Sequence, residues 1–455
     1  MQGDRQRFSV SFDGVCSTED SSCLIAGEHF QLNDQALSKC YTPLLHDLLR
    51  IGRGVYVTDR LARRRQRQGG IRDIRLSIQV AEPDFWRCST ISGLIKQALE
   101  LIGGDFWALR FLPLTDQEDK QMVLTLPANH LISSTAPLVC LYSGGLDSAA
   151  GLAARLSQHK GSVLAVTAWH QMEQPKTIET QLKRLRQRFE TRIDSAVVKT
   201  MLKGSPPLSM QESTQRCRSF LFTTLGGIAA ASVGATEVEV YESGVGAINL
   251  PLMTGMLIGG HATKGCHPEF LRLMGELVSH VAERRIAFVL PFQTYTKAEV
   301  VGMLTEQNLA VLANATVSCA SYPLHVANDA KQCGVCPACI GRRQALAVAN
   351  IREPAGKYQY DFLGCPDEFR RIPVKKLNYL KATLMQVADL LALQPTKPLP
   401  ELVKRHLFGS RIATDDQSAL PWVELLMRYR DEWLGLMTDR RTAGLPWVGW
   451  LGETV

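Results

Sequence analysis

Ile74, Leu76, Ile78 and Val80 alternate with Arg75, Ser77 and Gln79. A period of two sends one set of side chains to a core and the other to water, which predicts a half-buried strand. Farther along, the alternation gives way to short unbroken apolar runs at residues 138–142, 163–167, 196–198, 238–241 and 286–290. Runs of that length are the pattern of strands covered on both faces inside a parallel sheet. Helical segments lie between them: an Ala/Leu stretch at 149–156, a charged one at 176–192 and an apolar one at 218–233. Strand–helix alternation from 137 to about 350 predicts an α/β fold, a parallel sheet with helices on both faces. Upstream, residues 44–61 and 92–102 carry helical patterns beside the alternating strand. They predict a small N-terminal α+β domain over 1–135, ahead of a central domain over 136–355. Residues 377–393 and 422–437 are amphipathic and separated by proline-rich stretches such as Pro395-Thr396-Lys397-Pro398, which predicts a C-terminal helical region over 356–455.

A chain of 455 residues is too long for one core and divides into two or three domains. Its 45% hydrophobic and 21% charged content is that of a globular protein in water. No window approaches the ~18 uninterrupted apolar residues of a membrane span. Met1-Gln2-Gly3-Asp4-Arg5 lacks the apolar core of a signal peptide. The expectation is a cytoplasmic protein with no membrane partner, whose twelve cysteines are thiols or metal ligands rather than disulfides. Much of the net charge of +7 is local, in the run Arg60, Arg63, Arg64, Arg65 and Arg67. That run reads as a solvated helix face, with nucleic acid or an acidic partner as the alternative; no aromatic residues are interleaved for base stacking.

The most informative chemistry is Ser143-Gly144-Gly145-Leu146-Asp147-Ser148, set between the apolar run at 138–142 and a helical segment. Strand, tight glycine turn and helix N-terminus make a phosphate cradle. The glycines let backbone N–H groups converge on an anion, and the helix dipole adds partial positive charge. Ser143 and Ser148 supply hydroxyls, and Asp147 can hold a phosphate-bound Mg²⁺ through its oxygens. No G-x-x-x-x-G-K-[ST] occurs in the chain, so this is not a P-loop. Ligands of parallel sheets bind beyond the carboxyl ends of strands, so residues 167–171 and 242–246 are expected to face the same site.

Cys333-Gly334-Val335-Cys336-Pro337-Ala338-Cys339 holds three cysteines at x₂ spacing, and thirteen residues separate Cys319 from Cys333. Turns of this kind bring thiolates to the ~2.3 Å bonds of a tetrahedral Zn²⁺. Four thiolates leave no open position, so the zinc is expected to be structural. An iron–sulfur cluster uses similar spacing, but phosphate chemistry needs no redox centre.

The SGGxDS loop resembles the signature of the N-type ATP pyrophosphatases, which cleave ATP to AMP and pyrophosphate while adenylating a substrate. Followed by C-x(n)-CG-x-C-x-x-C, it resembles the 7-cyano-7-deazaguanine synthase (QueC-like) family. Arg218-Ser219-x-x-Phe222 is similar to the family's R-N-x-x-[FL], and Cys266-His267-Pro268-Glu269-Phe270 to its C-R-P-E-F. Pro291-Phe292-x-x-Tyr295-Thr296-Lys297-Ala298-Glu299-Val300 is similar to its P-x-x-x-x-[ST]-K-x-E-[IV]. Thr296 with Glu299 is also a capping box, which places Lys297 in a first helical turn. The likeness spans about 137–350. It departs at Trp169-His170-Gln171-Met172-Glu173, where only Gln171 of the family's Y-G-Q-x-H remains. The family's D-Y-S-G-Y-P-D is absent and the cysteine gap is longer. With its added flanking regions the chain resembles the QueC-like proteins of bacterial anti-phage systems, notably the Qat type.

The resemblance implies an adenine nucleotide alpha hydrolase-like (PP-loop) fold that binds ATP through Ser143, Gly144, Gly145, Leu146, Asp147, Ser148, Thr167 and Gln171. It implies that the carboxylate of 7-carboxy-7-deazaguanine attacks the α-phosphorus of ATP. Asp147, Lys297 and Arg218 would then be catalytic, with Mg²⁺ neutralising charge. An amine takes the acyl group next. Ammonia gives an amide, which a second ATP can dehydrate to a nitrile; a protein amine gives a conjugate. Glu242, Gly244 and His267 fall on the substrate side. Glu242 suits a guanine-like edge or its own turn, and His267 stands at the family arginine position or simply opens a helix. Arg218 and Lys297 read equally as surface salt-bridge partners. Three functions stay open: a defence-linked acyl-adenylating enzyme, a housekeeping nitrile synthase and a nucleotide-sensing scaffold. A tRNA-thiolating activity is disfavoured, since no cysteine pair flanks the site. In the flanking regions, the arginine run and Trp422, Tyr429 and Trp433 are expected as exposed anchors for a partner protein of the same system. On that expectation, removing residues 1–130 spares activation and loses the partner.

Overall fold

The computed structural model describes residues 6–11, 24–25, 30–33, 42–64, 70–114, 137–169, 174–202, 211–212, 214–250, 264–320, 332–394, 398–439, 442 and 444–451. The first segment runs β1 (Gln6–Ser11), β2 (Leu24–Ile25), β3 (Phe30–Asn33), α1 (Pro43–Leu61), β4 (Arg72–Val80), α2 (Pro83–Arg87), α3 (Ser89–Gly103) and β5 (Phe106–Pro113). In β4, Ile74, Leu76, Ile78 and Val80 are buried and Arg75 is exposed as expected, but Gln79 is buried too, where Arg50 Nε donates to its carbonyl at 3.0 Å. The α+β expectation is corrected. Strands β2-β1-β4-β5 form a four-stranded sheet whose described pairings are all parallel. The cause is connectivity: α1 crosses between β1 and β4, and α2 with α3 between β4 and β5, returning the chain in the same direction each time. Side-chain alternation records which face is buried and carries no information on strand direction.

The second sheet is built from β6 (Leu138–Leu141), α4 (Leu146–Gln158), β7 (Val163–Trp169), α5 (Gln174–Phe189), β8 (Ile193–Leu202), α6 (Arg218–Val233) and β9 (Glu237–Val240). It continues through α7 (Gly244–Ile248), α8 (Pro268–Val281), β10 (Ala287–Val289), α9 (Lys297–Glu306), α10 (Ala310–Asn314) and α11 (Pro337–Val348). The strand order is β10-β9-β6-β7-β8-β3, parallel from β10 to β8. Helices lie on both faces: α6 and α8 bury Phe220, Leu225, Phe270 and Leu277 on one side, while α4, α5 and α9 bury Leu152, Leu182 and Val301 on the other. This is the parallel α/β sheet expected from the central segment. The chain starts at the middle strand β6, builds outward through β7 and β8, then returns to lay β9 and β10 on the opposite side. The carboxyl ends of β6 and β9 therefore flank a topological switch point, where such sheets bind ligands. Strand β3 leaves the first segment and pairs antiparallel with β8, Phe30 opposite Leu202.

The first segment lies on the α6–α8 layer, with α1 against α6 and α3 against α8. One apolar core runs from Leu48 and Val55 through Phe220 to Met274. Helix α1 is buried almost all round, so its charged residues sit inside. Arg72 bridges Asp59 and Asp105, each at 2.6 Å, and Arg64 also reaches Asp105 at 2.6 Å. Arg60 donates to Gln211 at 2.6 Å. The arginine run is thus not a uniform solvated face: Arg60 and Arg64 are held internally, Arg63 is exposed, and Arg65 and Arg67 lie outside the described residues.

The C-terminal region is helical as expected, with α12 (Pro366–Arg370), α13 (Asn378–Asp389), α14 (Glu401–Gly409) and α15 (Asp416–Thr438). Its aromatic residues face inward. Trp433, Trp447 and Phe362 pack against Val335 and Ile340 beside the cysteine loop, while Trp422 and Leu426 pack near Ile248 and Leu250. Trp433 and Trp422 are 0% and 8% exposed and Tyr429 is half-buried, so their expected role as exposed anchors is corrected. The amphipathic stripe is real, and it is the core of this region. No helix among the described residues is long and apolar enough to cross a membrane.

Candidate active site

The glycine turn after β6 is built as the motif requires. Gly144 has φ +74°, a left-handed conformation that disfavours any Cβ, and Gly145 sits at the N-cap of α4. The turn is held from outside by Gln181, whose Nε2 donates to Gly144 O at 3.1 Å and Ala315 O at 2.8 Å. The Ser143 and Ser148 hydroxyls lie 2.9 Å apart, and Gly145 N–H points at Ser143 Oγ at 3.3 Å. Leu146 N–H donates to Ser318 Oγ at 3.4 Å. Amides and hydroxyls therefore converge at a helix N-terminus, the chemistry of a phosphate site.

Asp147 lies in the first turn of α4 and Lys297 is the first residue of α9. The Lys297 ammonium donates to Asp147 Oδ2 and lies 3.8 Å from Glu242 Oε1, joining the loops after β6, β9 and β10 at the switch point. Burial works against the Lys297 charge, but Asp147 and Glu242 outweigh it and its pKa is raised. Burial, then the neighbouring Asp147 charge, push the Glu242 carboxyl up to about 7. The other Asp147 oxygen, Oδ1, is buried without a hydrogen-bond partner. A buried, unpaired carboxylate oxygen beside a helix N-terminus fits a hard cation such as Mg²⁺. Cys266 lies within electrostatic reach of Glu242, Asp147, Lys297 and Arg218, and burial pushes its thiol well up.

The other expected residues are spread around this centre. Thr167 is buried and its hydroxyl donates to Tyr142 O at 2.7 Å, tying β7 to the glycine turn. Gln171 lies outside the described residues. Arg218 opens α6 with its guanidinium 5.4 Å from the Phe222 ring centre. Burial lowers its pKa, and Tyr56, Arg60 and Cys266 are titratable groups within its electrostatic reach, which places it between α1 and the Cys266 side of the site. Gly244 N–H donates to Tyr295 O at 2.9 Å. His267 caps α8, its Nδ1 accepting from Glu269 N–H at 3.2 Å, which leaves the proton on Nε2. Burial, then Lys264 and His406, drive its pKa down to about 3. Its charged surroundings are thus Lys264, His406 and Glu269 rather than the phosphate turn.

The Cys319, Cys333, Cys336 and Cys339 sulfurs all lie within 4.8 Å of one another. A tetrahedral zinc with ~2.3 Å bonds separates its sulfurs by about 3.8 Å, and Cys333 and Cys339 are 3.9 Å apart. Cys333 and Cys336 N–H groups each donate to a cluster sulfur at 3.3 Å, as thiolates require of their surroundings. The donor set fits zinc. Its position also bears on the phosphate turn, because Ser318 precedes Cys319 and α11 starts beside Cys336. Arg342 of α11 donates to Ser318 Oγ at 3.3 Å, below the start of α4.

Sequence reasoning missed Gln181, Ser318 and Glu432, whose carboxyl accepts from the Thr296 hydroxyl at the start of α9. Ser318 had a visible signal, adjacency to the first cysteine. Gln181 and Glu432 had none, since both act on residues remote in the chain.

Residues 261–350 match the family model described as Queuosine biosynthesis protein QueC. That stretch carries Cys266, Lys297 and all four clustered cysteines, so the lysine wall and the cysteine loop are QueC-like. No curated protein matches the chain.

Proposed function

We propose that this chain activates a carboxylate with ATP and passes the acyl group to an amine. A carboxylate oxygen bonds to the α-phosphorus, the bond to the β-phosphate oxygen breaks, and pyrophosphate leaves. The amine nitrogen then attacks the acyl carbon, loses a proton, and AMP leaves. One observation carries this reading: Lys297, from the QueC-like stretch, reaches across the switch point to Asp147 at the mouth of a glycine turn. Mg²⁺, when bound at Asp147 Oδ1, would supply Lewis-acid neutralisation of phosphate charge. Lys297 adds a fixed cation where negative charge accumulates. Glu242, pushed up to about 7, is in part deprotonated at neutral pH, and in that form it is suited to take up the proton that the amine releases.

The proposed acid is 7-carboxy-7-deazaguanine or a close analogue, supported by the resemblance of the Cys266–Phe270 and Pro291–Val300 motifs. The proposed acceptor is ammonia or a protein amine, and the setting anti-phage defence with a partner protein of the same system. A second reading, a nitrile-forming synthase acting in a biosynthetic pathway, is favoured by the match over 261–350.

Asp147→Ala should lower pyrophosphate release by about 10²–10³-fold, the effect of several kcal/mol of lost charge stabilisation. Undiminished release by a variant with an unchanged circular dichroism spectrum would refute the site. Intact-mass measurement of the products and of candidate partners separates nitrile, amide and protein conjugate.

A further inference from the structure

Lys297 is useful only if the first turn of α9 is held still, and the residues that hold it belong to α15, outside the QueC-like stretch. Thr296 caps α9: its Oγ1 accepts from Glu299 N–H at 3.1 Å, and its own N–H donates to Glu299 Oε2 at 2.7 Å. Both members of this capping box are gripped from α15. The Thr296 hydroxyl donates to Glu432 Oε1, and Arg428 Nε donates to Glu299 Oε1 at 2.8 Å. Arg428 Nη2 also donates to Thr294 O at 2.5 Å, in the turn leading into the helix. Glu432 Oε2 accepts from Gln344 Nε2 of α11 at 2.9 Å, so one carboxylate spans the lysine helix and the cysteine-loop helix. Leu425 presses on Gly244 of α7, where a Cβ would collide with it and with Gln293 O. Residues 425, 428 and 432 are spaced i, i+3, i+7, which is one face of a helix.

We propose that Glu432 is a positioning residue, which with Arg428 clamps the start of α9 so that Lys297 stays aimed at Asp147 and Glu242. The C-terminal region is on this account part of the catalytic apparatus, although it touches no reacting atom. A rigid first turn matters because displacement of a charge by about 1 Å costs on the order of 100-fold in rate.

The test uses the full zinc-loaded chain and two readouts. The first is the rate at which acetic anhydride labels Lys297 in the folded protein, measured by peptide mass spectrometry. The second is pyrophosphate release. Glu432→Ala should speed Lys297 labelling severalfold while zinc content and circular dichroism stay unchanged. It should lower kcat by about 10- to 100-fold, with KM for ATP shifted by less than about threefold, as expected when an interaction is lost mainly in the transition state. Glu432→Gln can still accept from Thr296 and, after a flip of the Gln344 amide, donate to it. It should restore both readouts to within a few-fold of the parent. If Glu432→Ala does not fold, Arg428→Ala, at a side chain 41% exposed, carries the same comparison. The kinetic arm rests on the activation reading and the labelling arm does not. A wild-type chain that labels as expected but releases no pyrophosphate sinks that reading and leaves the clamp standing. A folded variant with unchanged labelling and unchanged kcat overturns the clamp.

Discussion

Glu242 and Glu432 are carboxyls that the fold keeps protonated to about pH 7, in both cases chiefly through burial. In the unfolded chain each would lose its proton near pH 4.3. Between those values the folded state binds more protons, so stability falls as pH rises and levels off above about pH 7. His267 works in the opposite direction over an overlapping range. Its depressed pKa of about 3 means stability is complete above about pH 6.5 and is lost as pH falls toward 3. Glu242→Gln should therefore flatten the decline in Tm between pH 5 and 7.5, read by calorimetry on zinc-loaded protein. A parallel pH profile for parent and variant would show that Glu242 does not carry the raised pKa. At this scale the sequence was legible wherever neighbours in space are neighbours in the chain. Asp147 sits inside a six-residue motif, and Lys297 inside a capping box that the structure reproduces. Glu432 had no such signal, because Thr296 lies 136 residues away.

Helix boundaries follow local chemistry. Helix α6 spans Arg218–Val233 as its apolar pattern predicts, stopped by Gly234 in a left-handed conformation. Strand direction does not, since parallel and antiparallel strands share the same alternation; hence the correction of the first segment to a parallel unit. The cysteine loop behaves as an element too, and it supports more than itself. It seats Ser318 under the N-terminus of α4 and starts α11, whose Gln344 meets Glu432. Metal analysis should find one zinc per chain. Cys336→Ser should prevent stable folding of this part, because a structural zinc site contributes up to about 10 kcal/mol, comparable with the whole net stability of a domain. Chelation of the wild-type protein should lower Tm and pyrophosphate release together. A zinc-free chain with normal Tm and normal release would exclude this role.

At the scale of the molecule, the flanking regions are not appendages. Leu48, Leu49, Ile51, Val55 and Val57 of α1 are fully buried, and α1 faces α6 of the second sheet. Burial of each such side chain is worth roughly 1.5–3 kcal/mol, so five of them rival a net stability of ~5–15 kcal/mol. Removing residues 1–130 should thus give an aggregated or partly unfolded product, in contrast to the sequence expectation that activation survives. A monomeric truncated chain that still releases pyrophosphate would show the first segment to be dispensable. The resemblance to known motifs ended near residue 350 and began near 137, and nothing in a local pattern announces that remote segments share a core.

The pairing of β3 with β8 has a consequence in time. Phe30 leaves the ribosome about 170 residues before Leu202, its partner. At ~5–20 residues per second, that strand edge waits on the order of 10–30 s during synthesis. The four-stranded sheet can close once residue 113 is made, yet α1 and α3 then show bare apolar faces until α6 and α8 follow. A chain that ends after β8 should therefore leave these faces bare and aggregate more readily than the full chain, as light scattering of the two would report. Slower translation lengthens their exposure, and faster completion of the chain protects them.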